Sequence, residues 1–247
     1  MPSDQNAESG MKEKYWYLKK CPVFAQLSPE RIEAVEQECL CREFRRGEVV
    51  YLPRDMADSV MLLARGRVRL YHVTGEGKQA ILGFVEPGEL FGELSAFSGS
   101  QREEHAEAME KTLVVLVPGR VMQRVMAECP SVSMKMTQLF GMRLRRVERR
   151  LKSLLFRSSR ERLIHLLLEL AERYGQPDHD GILINQKISH QDMASIIGAT
   201  RETVTITLGE LQTEGILDVR RRRITLKNID SLATSIDFGP FVPVFAM

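Results

Sequence analysis

Arg201 and Glu202 are adjacent, carry opposite charges and stand three residues beyond Gly198, at the start of a run whose apolar members Val204, Leu208 and Leu211 recur at helical spacing. Arginine donates two parallel hydrogen bonds to guanine and a carboxylate accepts from cytosine N4, so a helix opening on this pair is equipped to read a G·C pair in the major groove. The hydroxyls of Thr200, Thr203 and Thr205, and the run Arg220, Arg221, Arg222 and Arg223, are groups that hold phosphates without reading bases. Competing chemistry is thin. No nucleophile has a base at suitable spacing and no glycine loop is built to cradle phosphate, so an enzyme is not expected. Cys21, Cys39, Cys41 and Cys129 show neither CxxC spacing nor a nearby histidine pair; they read as reduced structural thiols, with no metal site. His72 and His105 are lone strand histidines, better read as structural than as haem ligands.

The elements that must position the pair follow from local grammar. Ser189 is placed to cap a helix carrying Met193, Ala194 and Ile197. Gly198 ends that helix, Gly198-Ala199-Thr200 makes a three-residue turn, and Thr200 caps the next helix. This is a helix-turn-helix, finished by a two-stranded wing over Ile216 to Val219 and Ile224 to Leu226 with a basic tip. Ahead of it, Gly175 to Gly181 reads as a loop and Ile182 to Asn185 as a strand edge.

Further upstream, Phe140, Leu144, Val147, Leu151 and Leu154 recur at spacings of four, three, four and three, which is a seam of period 3.5. Lys135 to Lys152 holds seven basic residues against the single acid Glu148, with Arg145, Arg146, Arg149, Arg150 and Lys152 away from the seam. A dimer seam is the expectation, and a single amphipathic helix lying on its own domain is the alternative. From Cys39 to Pro118 short β-like runs (Glu48 to Leu52, Val60 to Ala64, Val68 to Val73, Ala80 to Val85, Ala106 to Met109, Leu113 to Val117) are cut by glycine turns, the pattern of a barrel or sandwich.

The fold class expected is therefore α+β, divided into a flexible segment 1–18, a β-roll (jelly roll) sensor domain 19–131, a dimerisation helix 132–156, a winged helix-turn-helix 157–232 and an apolar tail 233–247. With 247 residues the chain is long enough for two cores, its 28% of charged residues suit a folded globular protein, and apolar runs such as Leu113 to Val117 fall far below the ~20 residues a membrane helix needs. The net charge of +2 matters less than its uneven distribution. Nothing in Met1 to Lys14 resembles an export signal, so a cytoplasmic location is expected.

Two stretches, Gly88-Glu89-Leu90-Phe91-Gly92-Glu93-Leu94 and Ser189-His190-Gln191 through Thr200-Arg201-Glu202-Thr203-Val204, together resemble the CRP/FNR regulators over most of the chain. That resemblance implies a cyclic-nucleotide-binding-like β-roll, a long dimer helix, a homodimer on palindromic double-stranded DNA, and RNA polymerase as a partner. It assigns base contact to Arg201 and Glu202, and adds Ser189, His190 and Gln191 to the DNA-facing set. Many members carry another arginine where this chain has Ile206. For the sensor it implies an effector site built from Phe91, Gly92, Glu93, Leu94 and Arg102. In cyclic-AMP-binding members a serine follows the arginine; here Glu103 and Glu104 stand there. Arg102, His105, Ala106 and Ala108 resemble the nitrogen-regulator branch of the family instead, and Arg143 and Glu148 match its five-residue Arg-Glu spacing. 2-Oxoglutarate is thus expected ahead of cyclic AMP, since arginine suits a dicarboxylate, and another effector or none is the alternative left open. A ligand sensor acting through protein contacts without DNA is the competing expectation.

Overall fold

The computed structural model describes residues 14–220, 223–236, 238 and 241. The chain divides into two compact units, Met1–Arg145 and Arg146–Met247.

Among the described residues of the first unit, eight strands form two antiparallel sheets. Strands β1 (Leu40–Phe44), β8 (Thr112–Pro118), β3 (Ser59–Arg65) and β6 (Leu90–Phe91) make one, in that order; β2 (Val49–Tyr51), β7 (His105–Ala108), β4 (Val68–Val73) and β5 (Gln79–Val85) make the other. Side chains alternate across a strand, and β3 shows both faces in use. Met61 and Leu63 join Phe44, Tyr51, Val68, Val85, Phe91, Ala106, Ala108 and Val114 in a core drawn from both sheets. Val60, Leu62 and Ala64 point the other way, into a second core shared with the helical layer: residues 14–20 (α1), α2 (Pro29–Glu38), α4 (Gly119–Glu128) and the start of α5 (Pro130–Phe156). Six of the eight strands match the runs read from the sequence. Strand β1 leaves no such run, because it is exposed except at Phe44 and so lacks alternation. The two-residue β6 and the six-residue helix α3 (Glu93–Ser98) are too short to leave a period.

The reading of 1–18 as flexible is corrected over 14–18. These residues are helical, Leu18 is buried, and Lys14 pairs with Glu36 at 2.9 Å while donating to the carbonyls of Glu36 and Cys39. Residues 1–13 lie outside the described residues.

The second unit holds the end of α5 from Arg146, then α6 (Ser159–Tyr174), β9 (Gly175–Asp178), β10 (Gly181–Ile184), α7 (His190–Ile197), α8 (Arg201–Thr213), β11 (Leu217–Arg220), β12 (Arg223–Leu226) and α9 (Ile229–Ser235). Its sheet runs β11-β12-β10-β9, so the stretch expected as a loop from Gly175 is instead a strand paired with β10. Helix α6 buries Leu163, Ile164, Leu166, Leu167, Leu168 and Leu170, which leaves no polar stripe of ordinary width and makes it the central helix of this unit. A capping box at Ser158 and Glu161 starts it. The expected boundary at 232 moves outward: Ala233 and Ile236 are core residues, and Phe238 and Phe241 pack on the same cluster. Val242, Val244 and Phe245 of the apolar tail lie outside the described residues.

Candidate DNA-reading face and sensor site

The reading face is built by two capped helices. Ser189 Oγ accepts from the amide of Asp192 at 3.0 Å and the Asp192 carboxylate accepts from the Ser189 amide at 3.3 Å, a reciprocal cap that fixes the start of α7. Gly198 ends α7 at φ 64°, a left-handed conformation that glycine adopts without strain. Two residues on, Thr200 Oγ1 accepts from the amide of Thr203 at 3.1 Å and starts α8. Val204, Thr207, Leu208 and Leu211 are buried, which sets the opposite face outward. Arg201 and Glu202 therefore stand exposed in the first turn of α8, as expected, and the Arg201 side chain makes no hydrogen bond among the described residues. Glu202 is held below the usual carboxylate range by its own amide and then by the Thr200 hydroxyl. It is an ionised acceptor near neutrality.

The hydroxyls assigned to phosphates have internal duties first. Thr205 donates to the Arg201 carbonyl at 2.9 Å and is hydrogen-bonded with His190 Nδ1 at 2.9 Å, a link that ties the start of α7 to α8. Thr200 and Thr203 face each other at 3.0 Å. Ser189 and Gln191 are exposed at the start of α7. In the wing, Arg220 is exposed and its Nε pairs with Asp218 at 2.7 Å, while Arg221 and Arg222 lie outside the described residues.

Helix α5 presents two faces within the second unit. Arg150 donates to the carbonyl of Ile196, near the end of α7, at 2.6 Å, and burial makes its charged form less favourable. This corrects the outward basic face on which the sequence pattern places Arg150. The seam residues Leu144, Val147, Leu151 and Leu154 are exposed, at 46 to 62%. Phe140 departs from them: it is partly buried on the first unit's own core, edge-on to Phe97 at 6.3 Å.

Of the expected effector set, Arg102 engages Gly92 and Arg143 engages Glu93 in the first unit, whereas Leu94, His105 and Glu148 take part in neither pairing. Arg102 is 3% exposed, donates to the carbonyls of Gly92 and, at 2.6 Å, Ser59, and lies 4.7 Å from the ring centre of Tyr51. Gly92 sits at φ 68°, and a Cβ there would meet Arg102 Nη1 at 2.5 Å, so the close approach requires glycine. Glu93 is 1% exposed and pairs with Arg143 of α5, which also donates to the Leu90 carbonyl. The second oxygen of Glu93, Oε2, has no partner among the described residues. Phe91 is buried beside Tyr51, whereas Leu94 is 68% exposed on α3. His105 stacks on Tyr71 at 4.9 Å in the neighbouring strand, and Glu148 is exposed on α5 in the second unit. Of the acidic pair that follows Arg102, Glu103 is exposed and Glu104 accepts from Tyr51 Oη at 2.6 Å. Burial, then the Glu104 charge, pushes the Tyr51 hydroxyl well up, so it stays a donor.

Sequence reasoning missed Tyr51, Ser59 and Arg150. Each acts across a long separation, 43 residues between Ser59 and Arg102 and 46 between Arg150 and Ile196, and no local pattern marks such contacts. Among the described residues no group of three His, Cys, Asp or Glu is placed to hold a metal, and no helix is long and apolar enough to cross a membrane.

Comparison with known proteins assigns both units. Residues 41–129 match the cyclic nucleotide-binding domain family and residues 161–235 the Crp-like helix-turn-helix domain family. The global nitrogen regulator of Synechococcus elongatus is 35% identical over 188 residues, covering 75% of this chain and 85% of that protein. A solved structure of a CooA mutant from Carboxydothermus hydrogenoformans superposes with TM-score 0.73 at 26% identity, over 81% of this chain and 88% of that one. A transcriptional regulator of the CRP/FNR family from Thermus thermophilus gives TM-score 0.66 at 27% identity, over 80% and 98%.

Proposed function

The chain belongs to the CRP/FNR family of transcription regulators, and from that membership we propose that it acts as a homodimer that reads a palindromic operator with two copies of α8 and answers to a small effector in the β-roll. The observation that carries the reading is the exposed, capped Arg201-Glu202 start of α8, with an ionised Glu202 and an Arg201 guanidinium that makes no hydrogen bond among the described residues. Arg201 takes guanine, Glu202 accepts from cytosine N4, and Ser189, His190, Gln191, Thr200, Thr203, Thr205 and the arginine wing set the register on the backbone. The exposed stripe of Leu144, Val147, Leu151 and Leu154 is the homodimer seam, which places the two recognition helices about one DNA turn apart. The setting is the cytoplasm, with RNA polymerase as the second macromolecular partner.

For the effector, 2-oxoglutarate stands ahead of cyclic AMP on the resemblance to the nitrogen-regulator branch. Both arginines are already engaged by the chain: Arg102 by carbonyls, Arg143 by Glu93. A dicarboxylate reaches Arg143 by displacing the Glu93 carboxylate, and in doing so it breaks the tie between α3 and α5. This is the differential contact that an allosteric ligand needs.

The test is fluorescence anisotropy on duplexes selected from a random palindromic library. Wild type should bind with steep salt dependence, and Arg201→Ala should weaken the selected site by about 1–3 kcal/mol per half-site while leaving non-specific binding in place. Salt-insensitive binding, or unchanged sequence preference in Arg201→Ala, rejects the reading.

A further inference from the structure

Ile206 is 61% exposed in the middle of α8, and among the described residues beyond Phe156 no other large apolar side chain is exposed. It lies four residues after Glu202, and residues so spaced are neighbours on one helix face. Val204 and Thr207 on either side of it are buried, so Ile206 turns away from the core. Its other outward neighbours are Thr205, Gly209 and Glu210. In the following turn Gly209 has no side chain, and Glu210, the i+4 neighbour, pairs with Arg160 at 3.3 Å.

A lone apolar group on a polar reading face calls for an apolar feature of matching size. A protein interface takes about 800 Å² from each partner and a cluster of anchors, which one isoleucine cannot supply. The thymine 5-methyl is the one apolar group that a base pair presents in the major groove. A β-branched side chain on a helix is also held in essentially one rotamer, so docking it costs little further order.

We propose that Ile206 is a specificity-determining residue that reads a thymine methyl in each half-site. The proposal rests on α8 being the recognition helix. Four helical residues advance about 6 Å, roughly two base-pair steps, so the thymine lies one or two base pairs from the pair read by Glu202.

The experiment uses full-length protein and duplexes selected from a random palindromic library, with and without 2-oxoglutarate or cyclic AMP. Each thymine of the selected site is then replaced by uracil, which lacks only the methyl. Replacement in a single half-site should weaken wild type about fourfold, and replacement in both half-sites about fifteenfold, since a buried methyl-sized group contributes that much. Ile206→Ala should bind the thymine and uracil duplexes alike. Ile206→Arg should move the selected base at that position to guanine. Both variants change an exposed residue, and unchanged thermal midpoints will show that they fold. Equal wild-type affinity for thymine and uracil duplexes overturns the methyl contact while leaving DNA reading by Arg201 intact, and returns Ile206 to a protein-facing role. Failure to select any duplex overturns the recognition helix and this proposal with it.

Discussion

Single residues in the sensor serve the chain before they serve a ligand. Arg102 looks in the sequence like an anion receptor, yet it is buried and engaged by two carbonyls and an aromatic face. Replacing it leaves the Gly92 and Ser59 carbonyls unpaired, at about 1–3 kcal/mol each. Glu93 is the more informative position, because it holds the arginine that a dicarboxylate would use. Glu93→Ala is expected to tighten 2-oxoglutarate binding by about tenfold or more in calorimetry, a gain of at least about 1.4 kcal/mol from removing an internal competitor. Equal or weaker binding in the variant would show that Glu93 does not compete. At α8, the expectation that Arg201 and Glu202 read bases comes from residue type alone, because the donors and acceptors of a groove allow few partners.

At the scale of elements, the packing of α5 and α6 beneath the helix-turn-helix sets a pH response. His165 on α6 faces Arg157, Arg149, Phe238 and, at 3.8 Å, Glu169. Burial first, then the two arginines, holds its imidazole down at about 4, so near neutrality the contact with Glu169 is not an ion pair. The folded-state value lies below the ordinary 6.5, so the unfolded chain binds more protons between these limits. Stability contributed by neutral His165 is fully present above pH 6.5 and declines as pH falls toward 4. Glu169, whose carboxyl is raised by burial, takes up a proton on folding over part of this range and opposes the trend. The comparison is therefore differential: denaturant unfolding of wild type should weaken more steeply from pH 6.5 to 4 than that of His165→Gln. Parallel curves would place the pH dependence elsewhere. The caps of these helices were readable ahead of the structure, since Ser189, Gly198 and Thr200 act within three or four residues of themselves. The hairpin from Gly175 was not, because β9 owes its strand form to pairing with β10.

For the whole molecule, the decisive surface is the α5 stripe. Leu144, Val147, Leu151 and Leu154 are exposed in one copy, and in the proposed homodimer a second copy of the same helix would bury them. Leu151→Glu would place a carboxylate in that seam, at a cost of several kcal/mol once desolvated. Sedimentation should show a dimer for wild type and a monomer for the variant at micromolar concentration, with both folded, and operator affinity should fall with the loss of the second half-site. A dimeric Leu151→Glu protein would move the interface off this helix.

The sequence alone determined six strands of the β-roll, the capped helices of the helix-turn-helix, the place of Arg201 and Glu202 at the start of α8 and the family likeness, since each is encoded by residues close together in the chain or by a short periodic pattern. It also located Arg102, Glu93 and Arg143. Only the tertiary structure decided what those charges do: Glu93 meets Arg143 across 50 residues and Arg102 meets Ser59 across 43, and pairings at that distance arise from how sheets and helices pack. The same holds for Ile206. Its apolar type is written in the chain, but its exposure on the reading face depends on which side of α8 the core takes.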